Sequence, residues 1–304
     1  MPSRRLVSSW QVRAEAGEPF AVIRVRDLQG TIQAGTDAWG RKNKAQPVVI
    51  SAELSMAGPF EAASVSDTVS DDTVHYGLLA KALLRSLDDV NRSAETVSTV
   101  STTLHGAMEA IWNSLTGFHV GGLEAKELSK PALLKDRIPK IRYLNVTVTL
   151  PKASLLGSGV SLSWSSAFDP RDGVAAGRFY SSCLRIHELR VPTLVGVNDN
   201  ERLSRQVVVA SVEIEGYLGP HDIYVDVESY IVNVLGDSSF ETLEALGPAI
   251  ASGIRRCCQE RRGVDEPYKD PAGWTIKVIM EKPTAITMAA ASCVEYRELP
   301  ETKP

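Results

Sequence analysis

The stretch "DDTVHYG", residues 71–77, places two acids, a threonine, a histidine and a tyrosine directly before the apolar run "LLAKALL". A phenol at the mouth of a helix, beside a polar loop, stands where a side chain can pass a proton to a bound molecule. Three more side chains able to move or hold protons stand at predicted element ends: Glu201 in a connecting turn, Glu244 at a helix start and Lys282 just before Pro283. Taken singly, each has an ordinary structural reading. Tyr76 is a helix-start aromatic, Glu201 a polar turn residue, Glu244 an acid favoured by the helix dipole, and Lys282 a strand-end charge. His75 reads as an exposed loop residue, not a ligand. Chemistry requires that the chain bring such groups to one place.

The elements that must do so occur in two similar sets. The first opens with "FAVIRVRDLQGTIQAGTDAWGRKNKAQPVVISAELSM" (20–56), the second with "SCLRIHELRVPTLVGVNDNERLSRQVVVASVEIEG" (182–216). Apolar and polar residues alternate in both, which predicts half-buried antiparallel strands joined by a Gly-containing loop. "AQPVVISAEL" and "RQVVVASVEI" correspond almost position for position. Each set then turns helical: Leu79, Leu83 and Leu87 make one stripe, and Tyr224, Val227, Ile231 and Leu235 another. Second helices are expected at about 99–116 and 241–259, the latter opened by a Ser238/Glu241 capping box and irregular at Gly247-Pro248. Strands close each set, at 141–150 and at 274–282 followed by "AAASCVEYREL". Three insertions, near 89–98, 118–138 and 260–272, read as polar and exposed.

The bulk numbers narrow the function classes. The chain has 304 residues, 43% of them apolar, with a net charge of -4. It is long enough for one large domain or two ordinary ones. No dominant basic face exists to attract nucleic acid, and the "SGIRRCCQERRG" cluster (252–263) reads as a solvated helix end. Cys183, Cys257, Cys258 and Cys293 form no CxxC pair and, with the histidines, no zinc-like spacing, so thiols in a reducing compartment are expected. No apolar run approaches the roughly 18 residues of a membrane span. The serine- and arginine-bearing start, "MPSRRLVSSWQVRAEAGE", has a faint presequence character. A cytoplasmic location is expected, with a mitochondrial one as the alternative.

"DTVHYG", placed after a strand pair and before a helix, resembles the dihydroneopterin aldolase family. The second set adds three further marks: "GVNDNER" with Glu201, "TLEAL" with Leu243 and Glu244, and "IMEKPTAI" with Lys282. The resemblance spans most of residues 20–298, and fungal folate enzymes of this type similarly carry two such domains in tandem. It implies an α+β protein of two tandem tunnelling-fold units, β-β-α-α-β-β twice, with antiparallel sheets and helices on one face. The domains expected are 20–165, a degenerate unit supplying the tyrosine loop; 166–181, a linker around Asp-Pro-Arg-Asp-Gly; and 182–298, carrying the acids and the lysine. In the first set Gly40, His105 and Leu150 stand where Glu201, Glu244 and Lys282 stand in the second. The second set has "PHDIY" with Tyr224 in place of "DTVHY".

The activity implied is retro-aldol cleavage of 7,8-dihydroneopterin, with no cofactor and no metal. Lys282, Tyr76 and Glu201 take catalytic roles, while Glu244, Leu243 and the backbone of Thr73 and Val74 bind the pterin. Tyr224 is the alternative tyrosine. Epimerisation of dihydroneopterin or its triphosphate, for which Arg202 is a candidate phosphate ligand, and a non-catalytic pterin-binding role are the alternatives. The partners implied are a small pterin and further copies of the chain, as a dimer or tetramer.

Overall fold

The computed structural model describes residues 5–96, 102–125, 131–168, 179–260 and 271–301. The protein is a mixed α/β chain whose long strands pair largely in antiparallel fashion with helices packed upon them. It divides into two compact units: Met1–Thr36, Arg41–Leu150 and Leu162–Cys183 form the first, and Asp37–Gly40, Pro151–Ser161 and Leu184–Pro304 the second.

The first unit contains β1 (Arg5–Leu6), α1 (Ser9–Ala16), β2 (Val22–Ile32), β3 (Gln46–Met56), α2 (Glu61–Ser66), α3 (Tyr76–Thr96), α4 (Leu104–Thr116), β4 (Ile141–Leu150) and most of β5 (Gly159–Ala167). Its main strands run in the order β2-β3-β4-β5. Val48, Ile50 and Leu54 of β3 and Val146 and Val148 of β4 are buried together with Leu79, Leu83 and Leu87 of α3. Burying each such side chain contributes roughly 1.5–3 kcal/mol relative to leaving it in water. The helix runs past the stripe to Thr96, and Val90 is buried too. The expected polar insertion at 89–98 is therefore helical as far as it is described; residues 97 and 98 lie outside the described residues. Likewise Leu134 and Ile138, in the insertion expected to be exposed, are buried beside a short 3-10 helix, Lys135–Lys140.

Residues near the chain start pack onto the first unit. Ser8 and Gln11 form a capping box at α1, with Gln11 N donating to Ser8 Oγ at 3.2 Å. Val12 and Ala16, one turn apart, are buried with Tyr143 and Ala167. The Arg13 guanidinium lies 4.2 Å from the centre of the Tyr143 ring and pairs with Glu53. Arg5 and Leu6 pair in parallel with Phe179 and Tyr180.

The second unit contains most of β6 (Phe179–Thr193), α5 (Asp199–Arg202), β7 (Gln206–Glu215), α6 (Tyr224–Gly236), α7 (Leu243–Glu260), β8 (Thr275–Lys282) and β9 (Ser292–Glu298), with strand order β6-β7-β8-β9. Tyr224, Val227, Ile231 and Leu235 are all buried along α6. One backbone irregularity occurs once in each unit. Asp27 and Glu188 both adopt φ 52°, and their N–H groups donate to Ser51 Oγ at 3.0 Å and Ser211 Oγ at 2.9 Å. A left-handed residue that is not glycine inside a strand marks a bulge. The neighbouring pairs match as well: Arg24 Nε donates to Glu53 at 2.6 Å, and Arg185 Nε to Glu213 at 3.1 Å.

The start of α7 corrects two expectations. Ser238 does not cap it, because its hydroxyl is directed to Leu194 O at 3.4 Å. Thr242 caps it instead, accepting from Ala245 N at 3.2 Å. The helix passes unbroken through Gly247 and Pro248. Gly247 is needed for close approach: an added Cβ would lie 2.9 Å from Tyr296 Cβ and 3.2 Å from Met280 Cε. The expected linker core, 169–173, and most of the 260–272 insertion lie outside the described residues. Among the described residues no helix is long and apolar enough to cross a membrane.

Candidate active site in the second unit

Strand alternation sets Lys282, the last residue of β8, on the same side as the buried Ile276, Val278 and Met280. Only 8% of Lys282 is exposed. An ammonium so withdrawn from water needs a partner. Glu201, on α5 in the β6–β7 connection, supplies it: Lys282 Nζ donates to Glu201 Oε1 at 2.7 Å. Glu201 Oε2 accepts from the backbone and side-chain nitrogens of Asn198, at 3.3 and 2.9 Å. The amide of Gln206 donates to Val195 O in the same turn. The Lys282 bond, then the Asn198 backbone bond, hold the Glu201 carboxyl well below the usual carboxylate range, at about 2. Glu201 is thus a fixed carboxylate on a fixed amine, and the arrangement can hold a proton donor in place beside a ligand.

Gly196 makes this turn possible. It has φ 154°, and a Cβ there would meet Glu201 Cβ at 2.3 Å and Glu201 Cδ at 2.6 Å. The clash falls on the root of the side chain, so rotation of the carboxylate does not relieve it. Gly196→Ala is expected to displace Glu201 from Lys282 with the rest of the unit still folded. A crystal structure of the variant checks this; an intact 2.7 Å pair would refute it.

Glu244 is the second residue of α7 and is exposed, while Leu243 beside it is buried. Arg202, the candidate phosphate ligand, is engaged elsewhere: Nη1 donates to Phe240 O and Nη2 to Ser239 O, both at 3.0 Å. Tyr224 opens α6 and is 1% exposed.

Tyr76, Thr73 and Val74 belong to the first unit. Tyr76 is the first residue of α3 and is 69% exposed, its ring 5.5 Å from that of His75. The loop before it is well tied. Asp72 accepts from Ala62 N at 2.7 Å and from Ala63 N at 3.2 Å; Arg137 donates to Thr73 O; Val74 is buried. In this unit the second residue of the capped helix α4 is His105, and the last residue of β4 is Leu150. Burial lowers the His105 pKa, and its ring meets the edge of Trp164 at 5.2 Å. These are packing roles, with no acid and no amine at the two positions.

Sequence reasoning missed Gly196, Asn198 and the tie made by Arg202. Gly196 carried a sequence signal as a turn residue and Asn198 one as a cap residue three positions before Glu201, whereas the Arg202 tie runs to backbone carbonyls and carried none.

The sequence model of the dihydroneopterin aldolase family matches residues 184–297. No curated protein matches the chain. Among solved structures, E. coli dihydroneopterin aldolase in complex with neopterin is 20% identical over 38% of this chain and 97% of its own, with a TM-score of 0.29. A putative dihydroneopterin aldolase from Vibrio cholerae is 18% identical over 38% of this chain and 96% of its own, also at 0.29. Urate oxidase from Bacillus sp. TB-90 is 10% identical but covers 92% of this chain and 99% of its own at a TM-score of 0.56. The chain is therefore similar in fold to that urate oxidase over most of its length, and similar in sequence to the aldolase family across its second unit.

Proposed function

We propose that this protein is a dihydroneopterin aldolase built of two tandem tunnelling-fold units, 20–165 and 182–298, of which the second carries the acids and the lysine. The observation that carries the reading is the 2.7 Å Glu201–Lys282 pair, formed by two residues inside the 184–297 match. Glu244, at a helix N-terminus, suits the amino and ring N–H edge of a pterin, since a carboxylate accepts two parallel hydrogen bonds worth roughly 1.5–3 kcal/mol each. Leu243, Thr73 and Val74 complete ring binding.

The reaction follows from the substrate. The proton of the 2′-hydroxyl is removed, the C1′–C2′ bond breaks, and C2′ leaves as the aldehyde carbon of glycolaldehyde. The bond's electrons pass through C6 to N5 of the dihydropterin. A proton delivered to C1′ then gives 6-hydroxymethyl-7,8-dihydropterin. Lys282 serves as acid and base near N5, Glu201 holds Lys282 and the diol in register, and Tyr76 relays the proton at carbon. Epimerisation at C2′ uses the same cleavage followed by re-addition. The occupied guanidinium of Arg202 disfavours a triphosphate substrate. A non-catalytic pterin-binding role draws support from the burial of Tyr224, which withdraws the alternative relay phenol.

The test is incubation with 7,8-dihydroneopterin, with urate as a parallel substrate, followed by detection of 6-hydroxymethyl-7,8-dihydropterin and glycolaldehyde. Binding without product favours the binding role, and urate consumption would replace the pterin reading. If Tyr76 is the relay, Tyr76→Phe lowers turnover about 10²-fold or more, while Tyr224→Phe changes it little. Equal losses, or loss only at Tyr224, would count against this assignment.

A further inference from the structure

We propose that Arg202 is a positioning residue that locks the Glu201 turn to the segment opening α7, so that Glu201 and Glu244 address a single ligand. The inference rests on the pterin reading above and deepens it. Arg202 directly follows Glu201 in α5. Its two terminal nitrogens donate to the consecutive carbonyls of Ser239 and Phe240, each at 3.0 Å. Two donors on two carbonyls fix orientation as well as distance.

The same two segments meet twice more. Arg205 Nη1 donates to Gly236 O, and Ser238 Oγ donates to Leu194 O at 3.4 Å while accepting from Phe240 N at 3.3 Å. Two residues after Phe240 comes the Thr242 cap, and two residues later Glu244. The tie thus runs from the residue beside one carboxylate to the start of the helix bearing the other. An arginine that only staples a surface turn would not have to join these two segments.

The experiment compares wild type, Arg202→Met, Arg202→Lys, Glu244→Gln and the double variant Arg202→Met/Glu244→Gln. Neopterin affinity is read by titration, and KM and kcat with 7,8-dihydroneopterin by initial rates. Arg202→Met is expected to weaken neopterin binding about tenfold and to raise KM more than it lowers kcat. The double variant should bind no worse than Glu244→Gln alone, since both changes remove one alignment. Lysine offers one ammonium to two carbonyls and should restore only part of the loss. If Arg202→Met does not fold, Arg202→Lys carries the comparison. Affinity within about twofold of wild type, additive losses, or full rescue by lysine would overturn the proposal. A wild-type protein that does not bind neopterin overturns the pterin reading itself, and is recognised because all five proteins then behave alike.

Discussion

Lys282→Met should lower the formation of 6-hydroxymethyl-7,8-dihydropterin by about 10²–10⁴-fold, the usual worth of a general acid–base group, while leaving neopterin affinity much less affected. The methionine fills similar volume on a face already apolar with Ile276, Val278 and Met280, so the fold of the unit is expected to survive. Glu201→Gln should fall almost as far, because it leaves a nearly buried ammonium against a neutral amide. The two losses should not multiply, since the residues act as one unit. The pH dependence has a definite sign. Glu201 is pushed down to about 2, so the stability it lends the site is fully present above the usual carboxylate range, declines as pH falls below that range, and is gone once pH has fallen through about 2. Any acid limb of activity at higher pH belongs to another group and should persist in Glu201→Gln. Initial rates across pH for the three proteins decide this. Unchanged turnover in Lys282→Met, with an active wild type, would remove the lysine from the chemistry.

Periodicity made the helices legible. Leu79, Leu83 and Leu87 in one unit, and Tyr224, Val227, Ile231 and Leu235 in the other, announce their buried faces because a helix can hide a four-residue repeat only against a partner. Strand alternation was legible for the same reason in β3 and β7. In β5 the sequence alternates too, Val160, Leu162 and Trp164 with Ser161, Ser163 and Ser165, yet every residue is buried, the serines being satisfied by Ser181, by backbone carbonyls or, for Ser161, by His187 Nε2 at 2.8 Å. Ser165 and Ser181 lie 2.6 Å apart, and Trp164 Nε1 donates to Ser182 Oγ at 3.0 Å. Alternation foretells one buried face and one open face, and does not reveal that the serine face is covered as well.

The candidate site was legible only in its residue types. Glu201 and Lys282 stand 81 positions apart, and nothing local in either stretch announces that the two meet; the resemblance named both. The ties that hold them were illegible because they run to backbone atoms. Arg202 and Arg205 reach carbonyl oxygens, and any residue offers those. At α7 a serine–glutamate pair with capping-box spacing lay four residues too early, and Ser238 went instead to a carbonyl of the β6–β7 connection. The Ser8/Gln11 box at α1 had the same form and was real, because Val12 and Ala16 behind it had an apolar surface to cover. Spacing alone therefore does not decide where a helix starts.

Arg255→Met is expected to cost the second unit about 3–5 kcal/mol, the range for removing one partner of a buried charge pair. Arg255 lies on α7, 3% exposed, with Nε donating to Glu298 Oε1 at 2.7 Å. Its terminal nitrogens donate to Pro271 O, to Trp274 O at 3.1 Å and to Leu299 O at 3.2 Å. One guanidinium therefore satisfies three backbone carbonyls and a carboxylate at the end of β9 and the entry to β8. Methionine would match the stem but leave the carbonyls without their donor and Glu298 without its charge partner. Arg255→Lys should recover only a fraction, since one ammonium cannot span these acceptors. Urea unfolding of each variant, followed by circular dichroism and by tryptophan fluorescence, measures the loss. Because the guanidinium is buried, the loss should change little between low and high salt. A midpoint shift that vanishes in high salt would mean that the pair acts as an ordinary screened surface pair, and equal stability of wild type and Arg255→Met would mean that packing alone holds β9 to α7.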